Sequence, residues 1–430
     1  MSMETEQRNV ENLSINGKAT PNEAATASDD QACEVGSTSF VKTCLNCLNT
    51  LSGVGILSVS YALASGGWFS LILLFIIAMS TFYTGVLIKK CMDMNPGIKT
   101  YPDIGYHAFG SKGRLVVSIT MYIELYLVAT GFLILEGDNL DNIFPNTVIE
   151  LADLSLGGKK LFVILIGIII TPSVWIDNLN LLSYISASGV FASIIIICSI
   201  FWIATIDGVG FNHRGTLINW EGIPTAVSLY VFCYCAHPVF PTMYNSTKMK
   251  PQFSNVLFVC FVLSTFGYVS MAIFGYLMYG SDVQSQITLN LPVNKLSSKV
   301  AIFTTLVYPI AKYALMVIPI TNALKELLPA DGTCKKSRFT NILMGTALVI
   351  STVIVAVSVP FFGYLMALVG AVLSVTASLL LPCFCYLKIS GTYKKFCFQT
   401  VAIVGIIFAG VVIGIFGTYT SVRNIIEQFM

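Results

Sequence analysis

Apolar side chains gather along the 430 residues into eleven stretches, each long enough for a helix to cross the hydrocarbon core, which takes about 20 mostly apolar residues. They cover approximately 40–65, 67–91, 113–137, 160–178, 181–205, 223–246, 254–279, 298–326, 337–359, 361–389 and 396–420. Short polar turns separate most of them, and spans 9 and 10 abut at Pro360. The pattern predicts an all-α, polytopic membrane protein.

Two stretches interrupt their own pattern. In span 1, NTLSGVGILSVSYAL (residues 49–63) sets Gly53 and Gly55 two apart beside Thr50, Ser52 and Ser58. Each glycine weakens a helix by about 1 kcal/mol relative to alanine. In span 6, FCYCAHPVFP (232–241) holds Pro238 and Pro241, which lack a backbone donor and clash with the preceding turn. A membrane helix that unwinds must find partners for its freed N–H and C=O groups, and does so only inside protein or beside a wet cavity. The glycines alone could equally mark a close helix approach; the matching break in span 6 favours an unwound turn. Spans 1 and 6 lie five apart and cross in opposite directions, as in an inverted repeat of five helices each. Interrupted segments at corresponding positions of two halves point to the central site of a transporter.

The half-helix ends at such breaks carry partial charges, positive at N-termini and negative at C-termini, which suits a zwitterion. Its carboxylate would meet the N–H groups of Gly53, Val54, Gly55 and Ile56 and the hydroxyls of Thr50 and Ser52. Its ammonium would meet carbonyls near Cys235 to His237, with Tyr234 as a wall or gate. No acidic or basic residue other than His237 lies within either break, which points to neutral amino acids.

Composition removes other classes. Hydrophobic residues make up 55% and charged ones 11%, with a mean hydropathy of +0.78, too few charges to coat several water-soluble domains. Residues 1–39 differ: Glu4, Glu6, Glu11, Glu23, Asp29, Asp30 and Glu34 outnumber Arg8 and Lys18, and no apolar run offers a core. A disordered acidic tail is expected there, with residues 40–430 as one transmembrane domain. No basic segment followed by a short apolar one precedes span 1, so that span is expected to act as the targeting signal.

Charge orients the chain. The loops after even-numbered spans hold Lys89, Lys90, Lys112, Arg114, Lys248, Lys250, Lys335 and Lys336, while Glu136, Asp138, Asp141, Glu150 and Asp153 crowd the loop after span 3. The positive-inside rule places the N-terminus in the cytosol and the C-terminus in the lumen. Cys44 and Cys47 form a CxxC on an apolar helix with no second pair beside it, which reads as packing and not metal or redox chemistry. No cofactor or metal is expected, and nothing is basic enough for nucleic acid. Gly410 and Gly414 form a GxxxG read as packing within one chain, so a monomer in the lipid bilayer is expected.

Three segments carry a family resemblance. TLSGVGILSVSYALASGGW (50–68) resembles the first span of the amino acid/auxin permease family, most closely its vacuolar amino acid transporter branch. YPDIGYHAFGSKGR (101–114), with Gly110, Gly113 and Arg114 in place, resembles the family's loop after span 2, and CAHPVFPTM (235–243) its span 6. The resemblance covers all but the acidic tail. It implies a five-plus-five inverted-repeat fold of the LeuT type with helices 1 and 6 discontinuous. It also implies proton-linked, sodium-independent movement of amino acids across an endomembrane such as the vacuolar one. Spans 2 and 7 would join 1 and 6 in a bundle that moves against spans 3, 4, 8 and 9.

Three ionisable residues within spans are candidates for proton coupling. His237 sits at the span 6 break, and imidazole titrates near pH 6.5; the alternative is a neutral histidine satisfying a backbone carbonyl. Glu124, in MYIELYLVATG of span 3, must be protonated, paired or wet. Its candidate partner is Lys312 in span 8, although a buried pair can equally just fix helix register. An ammonium beside span 1 would also stand where related sodium-coupled carriers hold their cation. The reading is a secondary active amino acid transporter working by alternating access. Its rival is a sensor that binds the same ligand and signals through the tail. An enzyme is not expected, because His107, His213 and His237 fall on different elements and form no catalytic cluster. No filter or repeated pore motif suggests a channel.

Overall fold

The computed structural model describes residues 38–151, 154–175, 181–326, 338–394 and 397–430. Each of the eleven apolar stretches carries helix. Span 1 is two helices, 1a (Phe40–Leu51) and 1b (Gly55–Gly66), bent by 50° at the break between them. Spans 2 to 5 are Ser70–Met94, Tyr101–Ile143, Gly158–Val174 and Leu181–Thr205. Span 6 divides into 6a (Ile223–Cys233), a 3₁₀ turn at His237–Val239, and 6b (Phe240–Ser246). Spans 7 to 9 are Phe253–Tyr279, Leu296–Glu326 and Arg338–Ser358; span 10 is Phe362–Ser390 and span 11 Phe398–Phe429. Pro360 lies between spans 9 and 10, as the hydropathy suggested.

Span 3 departs most from its expected bounds. It begins at Tyr101 because Thr100 and Asp103 form a capping box, in which Asp103 Oδ2 accepts from the Thr100 N–H and hydroxyl, both at 2.8 Å. The YPDIGYHAFG segment is therefore helix and not loop; it bends where Gly110 adopts φ 66°, a conformation open chiefly to glycine. At its other end span 3 continues to Ile143 and absorbs Glu136, Asp138 and Asp141. An ion pair to Lys159 and a 2.8 Å bond from Gln286 hold Asp138. A short antiparallel hairpin, β1 (Val148–Leu151) and β2 (Leu154–Gly157), follows and interrupts the expected all-α pattern. The acidic tail to residue 37, Asp153, and Lys335 and Lys336 lie outside the described residues.

Spans 1, 2, 6 and 7 pack on one another, and spans 3, 4, 8 and 9 form a second set, with span 5 against span 8. The polar side of the fold points inward. Ile72, Phe75, Met79, Phe266 and Phe408 are half or more exposed on the outer faces, where a lipid-facing surface has no use for polar groups. Midway along, span 10 widens into two π-helical turns, Gly370–Ser374 and Thr376–Leu380, a local form that recurs at functional sites.

Candidate functional site

The break in span 1 rearranges its backbone bonds. Gly53 N–H donates to Leu51 O at 2.7 Å, not to Asn49 O four residues back, and helix 1b restarts with Ile56 N–H to Gly53 O and Leu57 N–H to Val54 O. Among the described residues no backbone carbonyl accepts from the N–H of Val54 or Gly55. These donors open helix 1b, where the macrodipole is positive. The carbonyl of Asn49, released from its usual partner, accepts from Lys312 Nζ of span 8 at 2.5 Å. An ammonium thus caps the negative end of helix 1a, a placement that favours both groups.

The two glycines have different duties. A Cβ on Gly55 would lie 2.7 Å from Cys233 Sγ and 3.1 Å from Cys233 Cα, so the absence of a side chain lets helix 1b reach the end of helix 6a. A Cβ on Gly53 would meet only the Thr50 carbonyl, at 4.0 Å. Gly53, Val54, Ile56 and Leu57 instead line one wall of a narrow cleft, faced by Ser193 of span 5 and Thr305 of span 8. Thr50 turns back to bond Asn46 O at 3.0 Å. Ser52 is half-buried at the break.

Span 7 ties the two breaks together. The hydroxyl of Tyr268, fully buried, lies between the carbonyl of Leu51, the last residue of helix 1a, and that of Cys233, the last of helix 6a, at 2.9 Å from the latter. A phenol has one proton to donate, so it alternates or shares between the two carbonyls, of which Leu51 O also accepts from Gly53 N–H. Tyr234 packs edge-on against the Tyr268 ring at 5.3 Å, stacks on Phe261 at 5.8 Å, and bonds Thr265 through its hydroxyl at 2.8 Å.

The span 6 break faces the other way. Cys235 Sγ donates to Glu124 Oε1 at 3.0 Å, and Ser374, in the first π turn of span 10, donates to the same oxygen at 2.6 Å. Glu124 therefore joins span 3, the break in span 6 and the widened part of span 10. The expected Glu124–Lys312 contact is not how these groups are used: the carboxylate serves Cys235 and Ser374, and the ammonium serves span 1. His237, wholly buried, turns towards span 2, its Nε2 lying 2.9 Å from Thr84 Oγ1 and 3.0 Å from Thr81 O. A carbonyl can only accept, so Nε2 carries the proton, and Nδ1 has no partner among the described residues.

Of the residues singled out in the sequence, Gly53, Val54, Gly55, Ile56 and Lys312 gather at the span 1 break, with Tyr234 beside them through Tyr268. Cys235 and Glu124 form a second polar focus, and His237 a third. Tyr268 and Ser374 were not anticipated. A tyrosine within an apolar span does advertise a hydroxyl that needs a buried partner, but no one-dimensional signal says which carbonyl it finds.

Comparison with known proteins accords with this geometry. Residues 36–423 match the family described as transmembrane amino acid transporter protein. Amino acid transporter AVT1I of Arabidopsis thaliana is 57% identical over 396 residues, covering 92% of this chain and 97% of the relative. Amino acid transporter AVT1J of the same plant is 58% identical over 395 residues, covering 92% and 93%. Among solved structures, MhsT in complex with L-phenylalanine superposes with a TM-score of 0.58 at 10% identity, over 89% of this chain and 98% of that one. A sodium-coupled sialic acid symporter in its substrate-bound outward-open state gives 0.54, also at 10% identity, over 93% and 92%. The fold is thus that of the LeuT-type transporters, and the chain belongs to the transmembrane amino acid transporter family, the amino acid/auxin permeases, in their vacuolar amino acid transporter branch.

Proposed function

We propose that this protein is a secondary active transporter that moves neutral amino acids across an endomembrane, the vacuolar membrane foremost, coupled to protons by alternating access. The observation that carries this reading is the meeting of the two breaks: Gly55 lies against Cys233, and Tyr268 bridges the carbonyl ends of helices 1a and 6a. Discontinuous helices at the centre of two halves are where transporters of this fold bind substrate and coupling ion. The free N–H groups of Val54 and Gly55 suit a carboxylate. The carbonyls around Leu51 and Cys233 suit an ammonium. AVT1I and AVT1J are named as amino acid transporters, which supports the substrate class.

Lys312 supports sodium independence, because its ammonium already neutralises the carbonyl end of helix 1a. Glu124 and His237 are the proton carriers in this reading, the first bonded to the break in span 6 and the second part of that break and turned to span 2, where movement of the bundle would alter their surroundings. The lysines and arginines of the even-numbered loops support a cytosolic N-terminus. The test is uptake of a labelled amino acid panel into proteoliposomes with a pH gradient of each sign, in sodium and in a sodium-free buffer. Saturable uptake of neutral amino acids that follows the pH gradient and ignores sodium is expected, and the sign that drives uptake separates exchange from co-transport. Sodium-driven uptake without a pH effect overturns the coupling assignment.

A further inference from the structure

At the end of span 3 remote from Tyr101, Glu136 is completely buried, and neither carboxylate oxygen has a hydrogen-bond partner among the described residues. The helix is closed in on all sides here, with residues from Ala129 to Gly137 buried without interruption. One turn further on, Asn139 uses its amide nitrogen to reach Gln286 at 2.7 Å, and Gln286 passes a 2.8 Å bond to Asp138. Gln286 belongs to the loop between spans 7 and 8, which lies over span 3 and helix 1b at this end and continues into a 3₁₀ turn at Ile287–Asn290. Three more buried polar atoms without partners among the described residues belong to the same elements: Oδ1 of Asn139, Nδ2 of Asn142 and Oγ1 of Thr288.

A carboxylate ion with no partner in a dry interior is not a stable arrangement, and protonation relieves it. The charged and titratable groups on the surrounding elements do not substitute for a proton. Asp138 and Asp141 share its sign, and Asp138 is taken by Lys159, one of the two lysines that open span 4. Lys159 also donates to the carbonyl of Pro360. Tyr61 of helix 1b and Tyr364 of span 10 bring phenols and not charges, and Asp282, at the start of the loop, is again acidic.

We propose that Glu136 is a proton-binding site of the gate on the far side of the two breaks, with the loop 283–291 as its cover. While the loop is down the carboxyl holds its proton; when the loop lifts, water reaches Glu136 and the proton leaves to solvent. By linkage, the state that binds the proton more tightly is the one acid favours. Low pH therefore closes this gate and rising pH opens it. The inference rests on the transporter reading for its purpose, but not for its test, which follows the gate without substrate.

The experiment places a cysteine at Ser285, within the loop itself and half-buried against Gly363, in the full-length protein in proteoliposomes. Maleimide labelling is read as a ratio to Leu217→Cys, exposed on the neighbouring loop, so that the pH dependence of the thiol reaction cancels. The ratio is expected to rise on the order of fivefold between about pH 5 and about pH 8. In Glu136→Gln it should stay low and flat, and Glu136→Asp should restore the rise. A flat ratio in the parent, or an unchanged rise in Glu136→Gln, overturns the proposal. The parent measurement decides even if Glu136→Gln does not fold, and loss of transport with the pH response intact would count against the transporter reading alone.

Discussion

At the scale of single residues, the two glycines that drew attention as a pair separate into two functions. Gly55 is a contact glycine: its missing side chain is what lets helix 1b touch the backbone of Cys233. Gly53 is an open-space glycine on the wall of the cleft. Gly55→Ala should therefore push the breaks apart and lower uptake by at least about tenfold, equivalent to roughly 1.4 kcal/mol in the transport step. Gly53→Ala should keep uptake within about twofold, since its backbone angles suit any residue and its Cβ finds room. Comparing initial uptake rates after normalising to membrane abundance checks both. Equal losses in the two variants would mean that helix breaking, and not contact with Cys233, is what Gly55 provides. The sequence could nominate the glycines but not sort them, because which one meets a neighbour depends on a helix 170 or more residues away.

At the scale of elements, the breaks in spans 1 and 6 are held as one unit by a residue of span 7. Removing only the hydroxyl, in Tyr268→Phe, leaves the ring against Tyr234 but deprives the carbonyls of Leu51 and Cys233 of their shared donor. Leu51 O keeps its bond from Gly53 N–H, but the Cys233 carbonyl is left without a partner among the described residues, which costs about 1–3 kcal/mol. The variant should reach the membrane in normal amount yet show uptake reduced roughly tenfold or more, and a normal rate would remove Tyr268 from the mechanism. Span 10 answers the same geometry from the opposite side: its π turn brings the Ser374 hydroxyl to Glu124, which also holds Cys235 of the span 6 break. The helix breaks were legible because glycine and proline act locally. Tyr268 and Ser374 were not, since their partners lie on other spans.

At the scale of the whole molecule, two sets of helices, spans 1, 2, 6 and 7 against spans 3, 4, 8 and 9, surround these contacts. The charge bias of the loops then predicts which way the assembly sits. An epitope tag at the N-terminus should be cleaved when protease is added to intact, cytosolic-side-out vacuoles, and a tag after Met430 should be protected until detergent is added. The reverse pattern would require the opposite orientation. Hydropathy by itself placed the apolar helical stretches and the abutment at Pro360, and glycine and proline marked the two interrupted helices, because the cost of burying unpaired backbone polar groups in lipid acts on every segment independently of its neighbours; among the described residues nine helices, or ten with the bent pair of span 1, are long and apolar enough to cross a membrane. What only the tertiary structure decided is where each charge goes. Glu124 and Lys312, which the sequence allowed to pair, serve different broken helices; His237 turns to span 2; and Glu136, which reads as part of a polar loop, is sealed inside the protein. The physical reason is that a buried charge is placed by the nearest freed carbonyl, hydroxyl or opposite charge, and those partners are supplied by packing between segments remote in the chain.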